Sequence, residues 1–192
     1  LIMTMLRDNV DEILDILKGE KIILYPTDTV WGIGCDAHSQ SAYDKIFTLK
    51  GRPKNKSAIL LVDSLDMLKN HVVRIHPKLE NLLIHHQKPL TIIYDNPTNL
   101  PSHVLAEDGS VAIRICNEPF CQSIISRLGN PLVSTSANVS NRPTPSFFGE
   151  IDSDILGGVD YVCKYRRQDK KSYLPSSIIK LTEDDELLFI RD

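Results

Sequence analysis

The sequence has no surplus of positive charge. Its 192 residues carry 22 lysines and arginines against 25 acidic residues, which gives a formal net charge of −3. The sequence pI is about 6.1. Domains that bind nucleic acid tightly are usually strongly basic. The charge balance therefore argues against a broad nucleic-acid-binding surface, whereas a local basic cleft is compatible with it.

Cysteine pairs with metal-ligand spacing and long apolar runs are also missing. The four cysteines include no C-x-x-C pair, so we expect no metal site and interpret them as buried, reduced thiols. The apolar residues 1–6 are soon interrupted by charges, and no run elsewhere approaches the length of a membrane span. We therefore expect a cytoplasmic protein that makes no membrane contact.

Strand-like and helix-like apolar segments alternate along most of the chain. This pattern predicts a single α/β domain over residues 1–192, with a twisted mixed sheet flanked by helices. Two segments are expected to be the most mobile, residues 140–149 and the charged stretch 166–172, which we interpret as a solvated loop. The predicted helices cover residues 13–17, 39–49, 65–68, 77–86 and 120–128. The predicted strands cover residues 21–25, 58–62, 90–94, 111–114, 131–135, 161–163, 177–181 and 187–190.

The first candidate for chemistry follows the first predicted strand. Residues 25–37 run from that strand into Thr27, Asp28, Thr29 and two glycines. Open α/β sheets place ligands just past the carboxyl ends of their strands, and glycines permit close backbone approach. The alternative is a tight turn whose hydroxyls satisfy the local backbone.

The second candidate is a group of four cations at residues 50–56. This density suits a polyphosphate, because Arg52 offers a planar fork and the lysines offer point charges. The alternative is that the cations only complement the C-terminus of a helix. The glycine spacing of a Walker A loop is absent.

The third candidate is residues 134–138, where three hydroxyls and an amide follow a predicted strand. They suit neutral hydrogen bonds to phosphate or amino-acid groups, whereas helix capping is the alternative. No G-x-S-x-G elbow surrounds these serines, which argues against a hydrolase. Ser110 and Arg114 share one strand face by their even spacing, and a hairpin would bring Ser177 near Arg191.

Taken together and in this order, the segments PTDTVWGIG, KGRP, STSAN, PSS and FIR resemble the signature of the YrdC-like family. The resemblance extends over roughly residues 10–191. It implies a single α/β domain with a large basic cleft. It also implies a nucleotidyltransferase that joins L-threonine, bicarbonate and ATP to form threonylcarbamoyl-AMP, the first step of a tRNA modification. A separate threonylcarbamoyl transferase would accept the product, so tRNA contact would be indirect, and Mg²⁺ would enter with ATP.

The resemblance also assigns residues to the two substrates. Lys50 and Arg52 would be catalytic. Thr29, Arg114, Ser136 and Ser177 would hold threonine. The nucleotide contacts would be Lys50, Arg52, Lys56, Ser110, Asn138, Ser146 and Arg191.

Two positions depart from the family pattern. Trp31 stands where a tyrosine is usual, and Leu61 stands where a histidine is frequent. Three alternatives remain open from the sequence. They are a non-catalytic RNA-binding protein, a paralogue with altered activity, and a carbamoyl-adenylating domain of a larger carbamoyl transferase. The acidic pI and the lack of an aromatic RNA-binding motif count against the first of these.

Overall fold

The computed structural model describes residues 8–53 and 56–191, and over these residues nine strands form one sheet. The spatial order is β7-β1-β2-β6-β3-β5-β4-β8-β9. Neighbours β1 and β7, β3 and β5, and β4 and β8 run parallel, and the other pairs run antiparallel. The predicted α/β class with a mixed sheet is thereby confirmed. The strands are β1 (Ile23–Tyr25), β2 (Gly32–Gly34), β3 (Ile59–Val62), β4 (Leu90–Tyr94), β5 (Val111–Ile115), β6 (Leu132–Ser136), β7 (Tyr161–Val162), β8 (Ser177–Leu181) and β9 (Leu187–Arg191).

Helices pack against this sheet around one hydrophobic core. Ile13, Ile46 and Ile124, from three different helices, are fully buried in the same cluster as the central strands. None of the helices in residues 8–53 and 56–191 has the length and apolar character that crossing a membrane requires. The helices are α1 (Val10–Lys18), α2 (Gln40–Lys50), α3 (Leu65–Lys69), α4 (Pro77–His85), α5 (Pro119–Leu128) and α6 (Ser153–Gly158).

Helix α2 delivers the cationic segment. It begins after Ser39, whose hydroxyl accepts the N–H of Ala42, and it ends at Gly51. Gly51 adopts a left-handed conformation, with φ of 58°, and such C-terminal turns favour glycine because it has no Cβ. The turn leaves Lys50 buried at the end of the helix and directs the chain onward through Arg52.

Two elements differ from the sequence prediction. Residues 32–34, read as part of a ligand-binding turn, form strand β2 between β1 and β6. A Cβ on Gly34 would collide with the carbonyl oxygen of Val133 and with the ring of Tyr25, so only glycine allows this close pairing. Helix α6 was not predicted either, since it has only six residues and ends in two glycines. The other predicted elements are present with ends shifted by at most three residues.

The first two residues of the charged stretch 166–172 are not solvated, although the sequence predicts a solvated loop here. The Arg166 guanidinium donates to the carbonyl of Thr27 at 2.8 Å and pairs with Glu118 at 3.0 Å. The Arg167 Nε donates to the carbonyl of Cys163 at 2.7 Å. The prediction for these two arginines is therefore wrong, because they tie the segment to the sheet. The four cysteines, by contrast, are free and buried as expected. Residues 1–6 and Lys54 lie outside the described residues.

Candidate functional site

One face of the sheet carries a cleft of about 260 Å³. Ile59, Ala112 and Ser134 form part of its floor and are cross-strand neighbours on β3, β5 and β6. Its walls come from the loop after β1, the loop after α2, and the chain around β8 and β9. The lining residues are Thr29, Val30, Trp31, Arg52, Ser57, Ala58, Ile59, Ile93, Ala112, Arg114, Ser134, Thr135, Ser136, Thr144, Pro175, Ser176, Ile178, Ile190 and Arg191.

Arg114 is the buried cation of β5, and its side chain is 3% exposed. Its Nη2 donates to the hydroxyl of Thr29 and to the carboxylate of Asp28, each at 3.1 Å. Its Nη1 donates to the hydroxyl of Ser176 at 3.3 Å. Three neighbours from distant parts of the chain thus fix the plane of the guanidinium. Both hydrogens of Nη2 are thereby engaged, so a further carboxylate would meet the donors on Nη1 or Nε.

Thr27 and Thr29, which follow β1, make different contacts. The Thr27 hydroxyl donates to the carbonyl of Val30 at 2.7 Å and accepts the N–H of Thr29 at 3.0 Å. It therefore closes the local turn, as one of the two sequence interpretations proposed. Thr29 lines the cleft, where its hydroxyl contacts Arg114, so ligand binding stays a prediction for this residue.

Ser176 joins two arginines. Its carbonyl accepts Nε and Nη2 of Arg191, at 3.0 and 2.8 Å. Its hydroxyl lies 2.7 Å from that of Thr91 and also accepts from Arg114. Burial, and secondly the charge of Arg114, lower the pKa of Arg191. A clustering of cations that weakens their own proton affinity indicates a site built for anions.

Lys50 and Arg52 form a second cationic group, whose hydrogen-bond partners among the described residues differ from those of Arg114. The ammonium of Lys50 donates to the carbonyl of Ser136, and Lys50 is 2% exposed. Arg52 donates to the hydroxyl of Thr135 at 3.0 Å and to the carbonyl of Ser57 at 2.8 Å. Burial, and secondly the charge of Arg52, lower the pKa of Lys50 to about 7. Burial also lowers the pKa of Arg52.

Several buried polar atoms around the cleft lack a partner within the described part of the chain. These include Nε of Arg52, Nε of Arg114 and Oδ1 of Asn138. Buried polar groups are nearly always paired, so orphaned ones mark places where a ligand or ordered water belongs. All three side chains were among the candidate residues named from the sequence.

Comparison with known proteins gives a consistent result. The sequence model of the Sua5/YciO/YrdC family, described as telomere recombination, matches residues 15–192. The threonylcarbamoyl-AMP synthase of Escherichia coli strain K12 is 32% identical over 140 residues, which are 71% of this chain and 74% of the relative. This chain belongs to the Sua5/YciO/YrdC family.

Solved structures show the same fold. Sua5 of P. abyssi, crystallised with L-threonine, superposes with a TM-score of 0.83 at 24% identity. E. coli YciO superposes with a TM-score of 0.80 at 22% identity, covering 95% of this chain and 88% of YciO. The match to P. abyssi Sua5 covers 95% of the present chain but only 53% of Sua5. The present chain therefore spans about half the length of that protein.

In this family member, the cleft brings together five of the eleven predicted residues. Lys50 does not line it but touches it through Ser136. Asn138 lies next to it, and its amide nitrogen donates to the carbonyls of Val139 and Arg142, each at 3.0 Å. The five lining residues are Thr29, Arg52, Arg114, Ser136 and Arg191.

The other four predicted residues do not line the cleft. Lys56 is exposed, and the Ser110 hydroxyl donates to Asp108 at 2.6 Å. The Ser146 N–H donates to the carboxylate of Glu150 at 2.6 Å. Ser177 opens β8 and does not line the cleft, whereas its neighbours at positions 176 and 178 do. Strand residues alternate between faces, which explains why Ser176 holds the place expected for Ser177.

Sequence reasoning gave no role to Asp28 or Thr91, and it assigned none to Ser176, which stands in the PSS segment. The strand periodicity carried a usable signal for Ser176, because Ile178 and Ser176 share a face. Trp31 lines the cleft and packs against Phe148, with ring centroids 4.9 Å apart. Leu61, which stands in place of a histidine, is fully buried and does not line the cleft.

The cleft is lined by side chains that are poor metal ligands. Over the described residues, no group of three or more His, Cys, Asp or Glu side chains is placed to hold a metal ion. The cleft lining itself offers hydroxyls and arginines, and the nearest carboxylate described above, Asp28, is already paired with Arg114. This donor set fits anions and not a protein-bound cation.

Proposed function

We propose that this chain is a threonylcarbamoyl-AMP synthase, a nucleotidyltransferase that joins L-threonine, bicarbonate and ATP with release of pyrophosphate. The observation that carries the proposal is the arrangement of one cleft with two separate cationic ends. One end is Arg114 with Thr29 and Ser176, and the other is Lys50 with Arg52. A 32% identical relative has this name, which supports the same assignment.

The Arg114 end suits the amino acid. Nε and one hydrogen on Nη1 have no partner among the described residues, so the guanidinium retains donors for the threonine carboxylate. The hydroxyls of Thr29 and Ser176 hold the guanidinium in place from two sides. The threonine ammonium, left free, loses a proton to solvent, and the resulting amine attacks carbon dioxide derived from bicarbonate. Loss of the second proton from nitrogen gives N-carboxythreonine.

The Lys50 end suits the phosphates. The N-carboxythreonine carboxylate attacks the α-phosphorus of ATP, the bond to the β-phosphate oxygen breaks, and pyrophosphate leaves. Such a transfer needs positioning and charge neutralisation more than a dedicated base. Lys50 and Arg52 supply the charge on one side, and Arg191 supplies it from β9. The buried position of Lys50 strengthens its attraction to a phosphate because the local dielectric is low.

Mg²⁺ is proposed to enter with ATP. Among the described residues the cleft has no carboxylate cluster to hold it, so the nucleotide phosphates and water would be its ligands. The chemistry it supplies is neutralisation of phosphate charge. A separate threonylcarbamoyl transferase is proposed to take the product to tRNA, because nothing in the described cleft is arranged to read bases.

The proposal is tested by following pyrophosphate release with purified protein. We expect release that requires both L-threonine and bicarbonate, together with a labile adenylate that contains threonine. Arg52→Ala should lower the rate at least about a hundredfold, in line with the loss of one preorganised transition-state donor. Lys18→Ala, a change on the exposed end of α1, is the control and should leave the rate unchanged.

Other outcomes separate the alternatives. Nucleotide binding without turnover would favour a paralogue with altered activity. Binding of tRNA that weakens steeply with salt, without any ATP turnover, would favour the RNA-binding alternative. Full activity of Arg52→Ala would contradict the proposed position of the phosphates.

A further inference from the structure

Asp28 contacts Arg114 without lining the cleft. Its Oδ1 is 3.1 Å from Nη2 of Arg114 and 3.5 Å from the thiol of Cys116. Its Oδ2 accepts the backbone N–H of Asn117 at 3.3 Å. The carboxylate is thus fixed to the end of β5 behind the arginine, with a side chain that is 9% exposed. Asp28 is therefore held rigidly and is not placed to touch a substrate directly.

The Asp28–Arg114 pair is electrically neutral and almost completely buried. Their side chains are 9% and 3% exposed, and burying an unpaired charge is costly. A simple carboxylate that binds Arg114 would add one uncompensated negative charge to this neutral pair. A zwitterionic amino acid adds none, because its ammonium accompanies its carboxylate. The pair therefore favours a zwitterion for an electrostatic reason that is independent of shape.

The neighbouring cations do not remove this preference when nucleotide is bound. Burial and, secondly, the nearby charge of Arg114 lower the pKa of Arg191. When no nucleotide is bound, Arg191 would offer its positive charge to a carboxylate at Arg114. Under the proposed function the phosphates of ATP neutralise Arg191 and Arg52. What remains at the amino-acid end is Arg114 with Asp28 as its counter-ion.

We propose that Asp28 is a specificity-determining residue that makes the amino-acid end of the cleft select zwitterions over simple carboxylates. It acts through Arg114, so it is a positioning residue and not a catalytic one. The proposal rests on the proposed function, since it takes Arg114 to be the group that binds the threonine carboxylate. It goes further by assigning the choice of substrate charge to a residue outside the cleft lining.

The test compares two ligands that differ only in the amine. L-Threonine and (R)-3-hydroxybutyrate, which is threonine without its amino group, are titrated calorimetrically into protein saturated with α,β-methylene-ATP. We expect wild type to bind L-threonine at least about tenfold more tightly. Asp28→Asn keeps the size of the side chain and removes its charge. It should lower that preference at least about tenfold, partly by strengthening the binding of hydroxybutyrate.

Glu118→Gln is the matched control. Glu118 pairs with Arg166 at 3.0 Å, its side chain is 12% exposed, and it does not line the cleft. The substitution removes one carboxylate from a similar buried pair but leaves Arg114 untouched. Its ligand preference should equal that of wild type, even if its melting temperature falls. Thermal melts of all three proteins show whether each is folded under the conditions of the titrations.

The outcomes distinguish this inference from the proposed function. If wild type binds L-threonine but Asp28→Asn keeps the same preference, the inference is overturned and the synthase assignment stands. Equal binding of both ligands by wild type would also overturn it, and this result needs no variant to fold. If wild type with bound nucleotide binds neither ligand, both the inference and the assignment of Arg114 are wrong.

Discussion

At the scale of single residues, Lys50 is a buried charge beside the cleft. Desolvation by burial, followed by repulsion from Arg52, lowers its pKa from 10.5 to about 7. The folded protein therefore binds fewer protons than the unfolded chain between about pH 7 and pH 10.5. Stability rises with pH wherever the unfolded state binds more protons. The unliganded protein thus loses stability on the acidic side of this range, where Lys50 must carry its charge without a phosphate.

This gives a prediction for the pH dependence of unfolding. Lys50→Met removes the charge, so the unfolding free energy of wild type relative to this variant should increase with pH between pH 7 and 10.5. The expected slope is at most about 1.4 kcal/mol per pH unit. Urea titrations over the range measure it. Lys18→Met, on the exposed end of α1, is the control and should run parallel to wild type. A constant difference between wild type and Lys50→Met would contradict the burial of this charge.

At the scale of secondary-structure elements, the short strand β2 joins the halves of the sheet. It pairs with β1 on one side and with β6 on the other, and it leads out of the loop that carries Thr29. Gly34 lets these strands approach, since a Cβ there would meet the backbone carbonyl of Val133 and the Tyr25 ring. A backbone carbonyl in a central strand cannot move aside without disturbing the ladder.

Gly34→Ala should therefore destabilise the protein by more than about 2 kcal/mol, in the range expected for overpacking of a core. Chemical denaturation followed by circular dichroism measures the loss. Gly157→Ala is the matched control, because a Cβ at this position in α6 meets nothing within 4 Å. That change should be neutral or stabilise by up to about 1 kcal/mol. If both variants unfolded with the wild-type midpoint, the close contact at Gly34 would not exist.

The elements themselves were largely predictable, for identifiable reasons. Strand β4 is an almost continuous apolar run bounded by turn formers, and α5 begins at a proline and ends at Gly129 in a left-handed conformation. Such signals are local and depend on few neighbours. Strand β2 lacked them, because the sequence GIG pairs only through the close approach of β1 and β6. Its identity as a strand is a property of the tertiary structure.

At the scale of the whole molecule, the sequence predicts several residues that line the cleft but not the contacts between them. The motifs named Arg52, Arg114 and Arg191, which all line it. Their partners come from far along the chain. Asp28 meets Arg114 across 86 positions, and Thr135 meets Arg52 across 83. Only the order of strands in the sheet determines such pairings. The role inferred for Asp28 could therefore not be predicted from the sequence.

The two ends of the cleft should respond separately to ligands because different strands hold them. A ligand present at a hundred times its Kd adds about 2.7 kcal/mol to stability, which raises the Tm of a domain of this size by several degrees. We expect α,β-methylene-ATP to raise the Tm of wild type and of Arg114→Met but not of Arg52→Met. L-Threonine, added to the nucleotide complex, should raise the Tm of wild type further and leave that of Arg114→Met unchanged. Differential scanning fluorimetry measures these shifts. Loss of both responses in both variants would mean that the cleft behaves as one undivided site, because each arginine would then be required for either ligand.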